Sequence, residues 1–309
     1  MQCLSDIGEI SLIKHLCSKL SMGSNVKTGP GDDCAVVTAE NNSKLDILLT
    51  SDPVTQNIHF MPDADPEAIG HKAVGRVLSD IAAMGGNPLW VLLNTSAPKE
   101  TPLNTADGII KGAAALTEKF GASIVGGDIS EGPTLSINAF AVGQVSKGKA
   151  ILRSGASDGD VIFVTGTLGN SIKGKHISFI PRIEEGLYLQ RKASSGIDVT
   201  DGLLMDLKRI LEASNAGATL DLNAIPLSRD ALDAKDDKTP IEHALTDGED
   251  FELLFTLPKQ VKDSVISEWN KTSLASCTEI GTIKASPGIE YIGSYDSIDL
   301  EKLSGYLHF

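Results

Sequence analysis

IDVTDGLLMDL, residues 197–207, joins a short apolar stretch to a helix, with acids at the junction. Leu203, Leu207, Ile210 and Leu211 recur at helical spacing and share one face, so the helix runs on from Gly202. Asp198 and Asp201 therefore stand where an apolar strand hands over to a helix. Four more elements are built alike: Gly31-Asp32-Asp33, Ser51-Asp52, Ser79-Asp80 and Gly126-Gly127-Asp128 each set a carboxylate beside a Gly or Ser. Strands ending in acids, alternating with amphipathic helices, predict a mixed α/β fold.

Outward from that stretch, Asp160–Thr165 and Phe251–Leu257 are expected strands, Leu220-Asp221-Leu222 a third, and Pro181–Lys192 a helix. The charged run Arg229–Lys238 reads as solvated surface. In the first half, Asp6 and Glu9 have capping-box spacing ahead of Ile10, Ile13, Leu16 and Leu20. Strands are expected near 33–38, 45–50, 90–94, 123–125 and 135–145, with a helix over 106–120. Asp65-Pro66-Glu67 supplies an N-cap, a first-turn proline and a first-turn acid for a long helix through Met84. Ser146-Lys147-Gly148-Lys149 is the most linker-like stretch, which divides the chain into domains 1–147 and 148–309. No repeat of 20–50 residues is present.

The 309 residues carry 27 Lys and Arg against 41 Asp and Glu, a net charge of −14. That balance argues against coating nucleic acid or anionic membrane. With 41% hydrophobic and 22% charged residues a sizeable core can be buried, and disorder is excluded. Cys3, Cys17, Cys34 and Cys277 form no CxxC pair, which points to a reducing cytoplasm. No basic leader and no run of 18 apolar residues is found, so neither a signal peptide nor a membrane span is expected.

Asp at the mouth of a strand beside a small residue suits Mg²⁺, a hard ion with oxygen ligands that is commonly shared with phosphates. Simpler readings stand beside that one. Gly31-Asp32-Asp33 and Gly126-Gly127-Asp128 can be turns, Asp201 can cap the next helix, and Asp80 can pair with Arg76 one turn earlier. Thr200 is ambiguous in the same way, His59 can be structural, Arg153 a surface charge, Glu249 solvated punctuation, and Tyr306 a packing residue. GxxxxGK[ST], HRD, DFG and HExxH are all absent, so any nucleotide chemistry runs on carboxylate-held metal.

In order and spacing, GPGDDCAVV (29–37), TSDPVTQNIHF (50–60), LSDIAAMGGNP (78–88), GGDISEGP (126–133), LRSGASDGDVIFVTGTLGNS (152–171), IDVTDGLLMDL, DGEDFELLFT (247–256) and GYLHF (305–309) resemble the thiamine-monophosphate kinase family. Aminoimidazole ribonucleotide synthetase belongs to the same superfamily. The resemblance implies the two-domain synthetase-like fold, its N-terminal mixed sheet pairing in a homodimer, and ATP-dependent phosphorylation of thiamine monophosphate with several Mg²⁺ ions. It implies metal ligands at Asp33, Thr50, Ser51, Asp52, Asp80, Asp128, Asp198 and Asp201. ATP contacts are implied at Gly127, Asp128, Arg153 and Thr200, and substrate contacts at His59, Glu249 and Tyr306. Asp52, Asp128, Asp201 and Arg153 are the implied catalytic set.

Three departures from the family pattern stand out. GNSIKGKHISFIP (169–181) is shorter than usual, Thr200 replaces Ser, and Asp247 replaces a Gly. The competing expectations are another ATP-dependent member of the superfamily or a non-catalytic nucleotide- or metal-binding relative.

Overall fold

A computed structural model describes residues 9–20, 22–39 and 44–293. Cys3, Asp6 and Tyr306 lie outside the described residues. The first sheet has the order β1-β2-β3-β6-β4-β5, from β1 (Val26–Thr28), β2 (Ala35–Val37), β3 (Leu45–Thr55), β4 (Asn87–Ala97), β5 (Ser123–Glu131) and β6 (Ser136–Ser146). Only β4 and β5 run parallel. The second sheet has the order β12-β9-β11-β7-β10-β8. Its strands are β7 (Val161–Thr165), β8 (Ser195–Asp198), β9 (Gly217–Asp221), β10 (Leu253–Leu257), β11 (Cys277–Lys284) and β12 (Gly288–Ile292), with only β9 and β12 parallel.

Helices α1 (Glu9–Cys17), α2 (Pro66–Ala83) and α3 (Leu103–Lys119) accompany the first sheet. With the second come α4 (Lys175–Ser178), α5 (Ile183–Leu189), α6 (Leu203–Ser214), α7 (Arg229–Leu232), α8 (Pro240–Thr246) and α9 (Lys262–Trp269). Among the described residues no helix is long and apolar enough to cross a membrane.

The two sheets are joined through α2. Asp65 accepts a hydrogen bond from the Glu67 N–H, as its capping position requires, and Pro66 opens the first turn. Val74, Val77, Leu78 and Ile81 are fully buried, each contributing roughly 1.5–3 kcal/mol. α3 and α5 approach α2 at glycines: a Cβ at Gly112 would meet the Glu67 carbonyl at 1.8 Å, and one at Gly186 the Ala82 carbonyl at 2.0 Å. Strands β7 and β10 are covered on both faces, which explains their unbroken apolar runs. Val161, Phe163, Leu253 and Phe255 enter the core that holds α2, while Ile162, Val164 and Leu254 enter a second core under α6.

Three expectations are corrected. Gly126-Gly127-Asp128 is no turn but lies inside β5, which a bulge opposite Val91–Leu92 keeps in register. Gly127 is needed there because a Cβ would meet the Leu93 carbonyl at 1.9 Å. β10 begins at Leu253 rather than Phe251, because Glu249 (φ 52°) and Phe251 (φ 51°) turn the backbone into the left-handed region. The run 229–238 is not uniformly surface: it opens with α7, capped by Ser228, and its end reaches the cavity described next.

Candidate active site

Alternation along β3 sends Thr50 and Asp52 to the sheet face covered by α2, opposite the buried Ala141 and Ala139. Ser51, opposite the exposed Phe140, points to the other face. Asp80 comes from the last turns of α2, Asp198 from the end of β8, and Asp33 from the loop before β2. Carboxylate oxygens of Asp33, Asp80 and Asp198 all lie within 4.8 Å of one another. Thr50 Oγ1 donates to Asp80, and Ser79 Oγ donates to Asp198. Burial, reinforced by the neighbouring carboxylates, pushes Asp80 and Asp198 well above the ordinary carboxylate range. Asp33 Oδ2 is buried with no hydrogen-bond partner among the described residues. Three converging acids, one with an orphaned oxygen, are the donor set a hard divalent cation requires.

A second group sits one and two turns earlier on α2. Arg76 donates from Nε and Nη2 to both oxygens of Asp52 (3.1 and 3.0 Å) and from Nη1 to Glu249 (3.1 Å). Lys72 is fully buried and donates to Glu249 (2.9 Å) and the His59 carbonyl (2.7 Å), with His176 Nδ1 at 2.8 Å. Burial pushes the Glu249 carboxyl up, but His176, Lys72 and Arg76 together outweigh it and hold it down at about 2. His59 Nδ1 accepts from the Thr55 N–H at 3.1 Å, which sets the ring beneath β3. The i, i+4 pair open to Asp80 and Arg76 does not form, because Asp52 and Glu249 take the guanidinium.

Arg153 reaches Asp33 with its guanidinium, and its backbone N–H donates to Asp32 (3.2 Å). Burial and the charge of Asp33 raise Asp32 to about 7. The Asp201 side chain pairs with Arg209, and the N–H groups of Thr200 and Asp201 donate to Asp206. Gly202 therefore caps α6 without a side chain, and Asp201 is no cap.

Asp33, Asp52, Asp80, Asp198, Thr200, Asp201, Arg153, Arg76, His59 and Glu249 all line one cavity of about 730 Å³. Gly127 and Asp128 do not. Asp128 pairs with the exposed Asn94 and shares its face, the one opposite to the face of Asp52. Sequence reading missed Arg76, Lys72 and His176, as well as Asp236, Lys238 and His243, which also border the cavity or its wall. The i, i+4, i+8 series Lys72-Arg76-Asp80 was the available signal for the first two.

A two-sheet fold joined by one helix, with an acid-lined cavity beside that helix, defines the class of the chain. The AIR synthase related N-terminal domain matches residues 31–145, and the corresponding C-terminal domain matches residues 180–293. Thiamine-monophosphate kinase of Haemophilus influenzae is 35% identical over 98% of both chains, and that of Escherichia coli K12 is 36% identical over 82% of this chain and 83% of that one. The chain belongs to the thiamine-monophosphate kinase family. Among solved structures, AaThiL complexed with AMPPCP and TMP has a TM-score of 0.86 and 29% identity, covering 100% of this chain and 99% of that one. The E. coli hydrogenase maturation protein HypE shares the fold alone, at 17% identity and a TM-score of 0.67 over 84% of this chain and 85% of that one.

Proposed function

We propose that the chain transfers the γ-phosphoryl group of ATP to thiamine monophosphate, releasing thiamine diphosphate and ADP. The observation that carries this reading is one cavity holding three converging carboxylates and, beside them, the ion-paired Glu249. An acceptor phosphate is already ionised at pH 7, so its oxygen attacks the γ-phosphorus in line without a general base, and the bond to the bridging oxygen of ADP breaks. Two anionic phosphates must approach one another. Bound Mg²⁺ supplies the positive charge that allows it.

In this reading Asp33, Thr50, Asp52, Asp80, Asp198 and Asp201 hold the ions, and the family resemblance adds Ser51 and Asp128, which point to the other face of the sheet. Arg153, Thr200 and Gly127 contact the nucleotide, while His59, Glu249 and Tyr306 orient the acceptor. Arg153, half-buried and paired with Asp33, draws charge from the transferred group. The chain works as a cytoplasmic homodimer joined through the outer face of the first sheet, where Leu49, Trp90, Leu92 and Phe140 are exposed. The strands part into β1–β6 and β7–β12, which supports a domain boundary near residues 146–149.

Purified protein supplied with ATP and Mg²⁺ should turn over with thiamine monophosphate and not with formylglycinamidine ribonucleotide. The reverse preference would transfer it to the synthetase branch of the superfamily.

A further inference from the structure

We propose that Arg76 is a binding residue for the acceptor's phosphate, exchanging its hold on Asp52 for that phosphate when the substrate enters. The proposal rests on the kinase reading above and assigns a residue to it.

Three positively charged Lys and Arg side chains line the cavity among the described residues: Arg76, Arg153 and Lys238. Arg153 pairs with Asp33 and is assigned above to the nucleotide, and Lys238 pairs with Asp247. Arg76 alone touches both Asp52, at the edge of the cation-binding acids, and Glu249, at the acceptor end. A phosphate positioned between those two carboxylates meets repulsion from both unless a cation stands there. Arg76 is that cation.

The geometry fits an exchange. Arg76 offers the planar edge formed by Nε and Nη2 to two oxygens of Asp52, and the same two-pronged edge matches two oxygens of a phosphate. Its third nitrogen keeps the bond to Glu249, and the ring of Phe251 lies 5.9 Å from the guanidinium carbon. Those two anchors hold the side chain while the Asp52 edge is released. A divalent cation on Asp52 competes for the oxygens Arg76 holds, so cation and phosphate binding favour the same exchange. Lys72, fully buried behind Glu249, keeps that carboxylate charged and in place throughout.

The test uses the full chain with Arg76→Gln and Arg76→Lys. For Arg76→Gln, loss of a charge-assisted pair should raise KM for thiamine monophosphate by about 30-fold, with KM for ATP within about twofold. Arg76→Lys should recover part of the loss, since it keeps the charge without the fork. Calorimetric binding of thiamine monophosphate in the presence of a nonhydrolysable ATP analogue should weaken in parallel. Binding of Mn²⁺ alone, followed by electron paramagnetic resonance, should be unchanged or tighter in Arg76→Gln, because Asp52 loses a competitor.

A merely structural salt bridge would instead move both KM values together, or lower Mn²⁺ affinity, and either result overturns the role. Active wild type with an unchanged acceptor KM in Arg76→Gln overturns it alone. Inactive wild type removes the kinase reading and this role together. If circular dichroism shows Arg76→Gln unfolded, Arg76→Lys is read in its place, and wild-type acceptor affinity in that variant overturns the role.

Discussion

Lys72→Met removes a cation that is wholly enclosed while leaving a side chain of similar length. The ammonium makes three short contacts, to the His59 carbonyl, His176 and Glu249, at 2.7–2.9 Å. At about 1 kcal/mol net for each, their loss amounts to about 3 kcal/mol. The figure stays at the low end for a broken buried pair, because Glu249 keeps Arg76 and burying Met in place of an ammonium removes a desolvation cost. Urea unfolding should therefore show a lower midpoint at an unchanged slope. In a cycle with Glu249→Gln, the double variant should lose less than the sum of the singles, with a coupling of about 1–2 kcal/mol. The effect also has a pH signature. Because the folded state lowers the Glu249 carboxyl from 4.5 to about 2, its stabilising contribution is complete above pH 4.5 and disappears as pH falls toward 2. The gap between wild type and Lys72→Met should close over that window. Additive single losses, or a gap that ignores pH between 4.5 and 2, would refute the assignment of Lys72 to Glu249.

Further outcomes follow from the same packing. In chelator, Asp32→Asn should be more stable than wild type at pH 8 by up to about 4 kcal/mol, and the two should converge toward pH 4. The sign follows from a folded-state value near 7 against 3.8, which makes the ionised acid destabilising at high pH. Saturating Mg²⁺ should raise the thermal midpoint of wild type at pH 8 and raise that of Asp198→Asn much less, because that variant lacks one of the three converging carboxylates. Phe140→Asp places a charge on the exposed apolar face of the first sheet, and sedimentation should show dimers for wild type and monomers for the variant if that face is the proposed seam. Gly127→Ala should unfold β5 or prevent expression, since its Cβ would stand 1.9 Å from the Leu93 carbonyl.

Much of this arrangement was legible because it follows from burial. Val161–Val164 and Leu253–Phe255 are apolar since β7 and β10 divide their side chains between two cores, and Asp198, at the end of β8 beside β10, has the cavity mouth to occupy. Asp33, before β2, and Asp80, on α2, were legible instead from the recurring pattern of a carboxylate beside a small residue. The rest turned on tertiary geometry. Whether Asp128 shares a face with Asp52 depends on strand register, and a shift of one residue reverses the answer. The bulge opposite Val91–Leu92 that carries β5 through Gly126-Gly127 has no local marker beyond the glycines themselves. Helical spacing offered Asp80 as the partner of Arg76, yet β3 brings Asp52 closer and Glu249 completes the pair from the other half of the chain. His176 belongs to the shortened segment, whose path follows Phe179 stacking on Phe251 with ring centroids 3.7 Å apart. No pattern in 169–181 announces that contact.

In the proposed reaction, phosphoryl transfer to thiamine monophosphate depends on cations held by the carboxylates of one cavity. The most direct test of that dependence is formation of thiamine diphosphate from ATP and thiamine monophosphate across a Mg²⁺ titration, for wild type and Asp80→Asn side by side. Wild type should form thiamine diphosphate and ADP one for one and only with Mg²⁺, and Asp80→Asn should fall roughly 10²–10³-fold while remaining folded. Equal rates for the two proteins, or full activity of wild type in chelator, would contradict it.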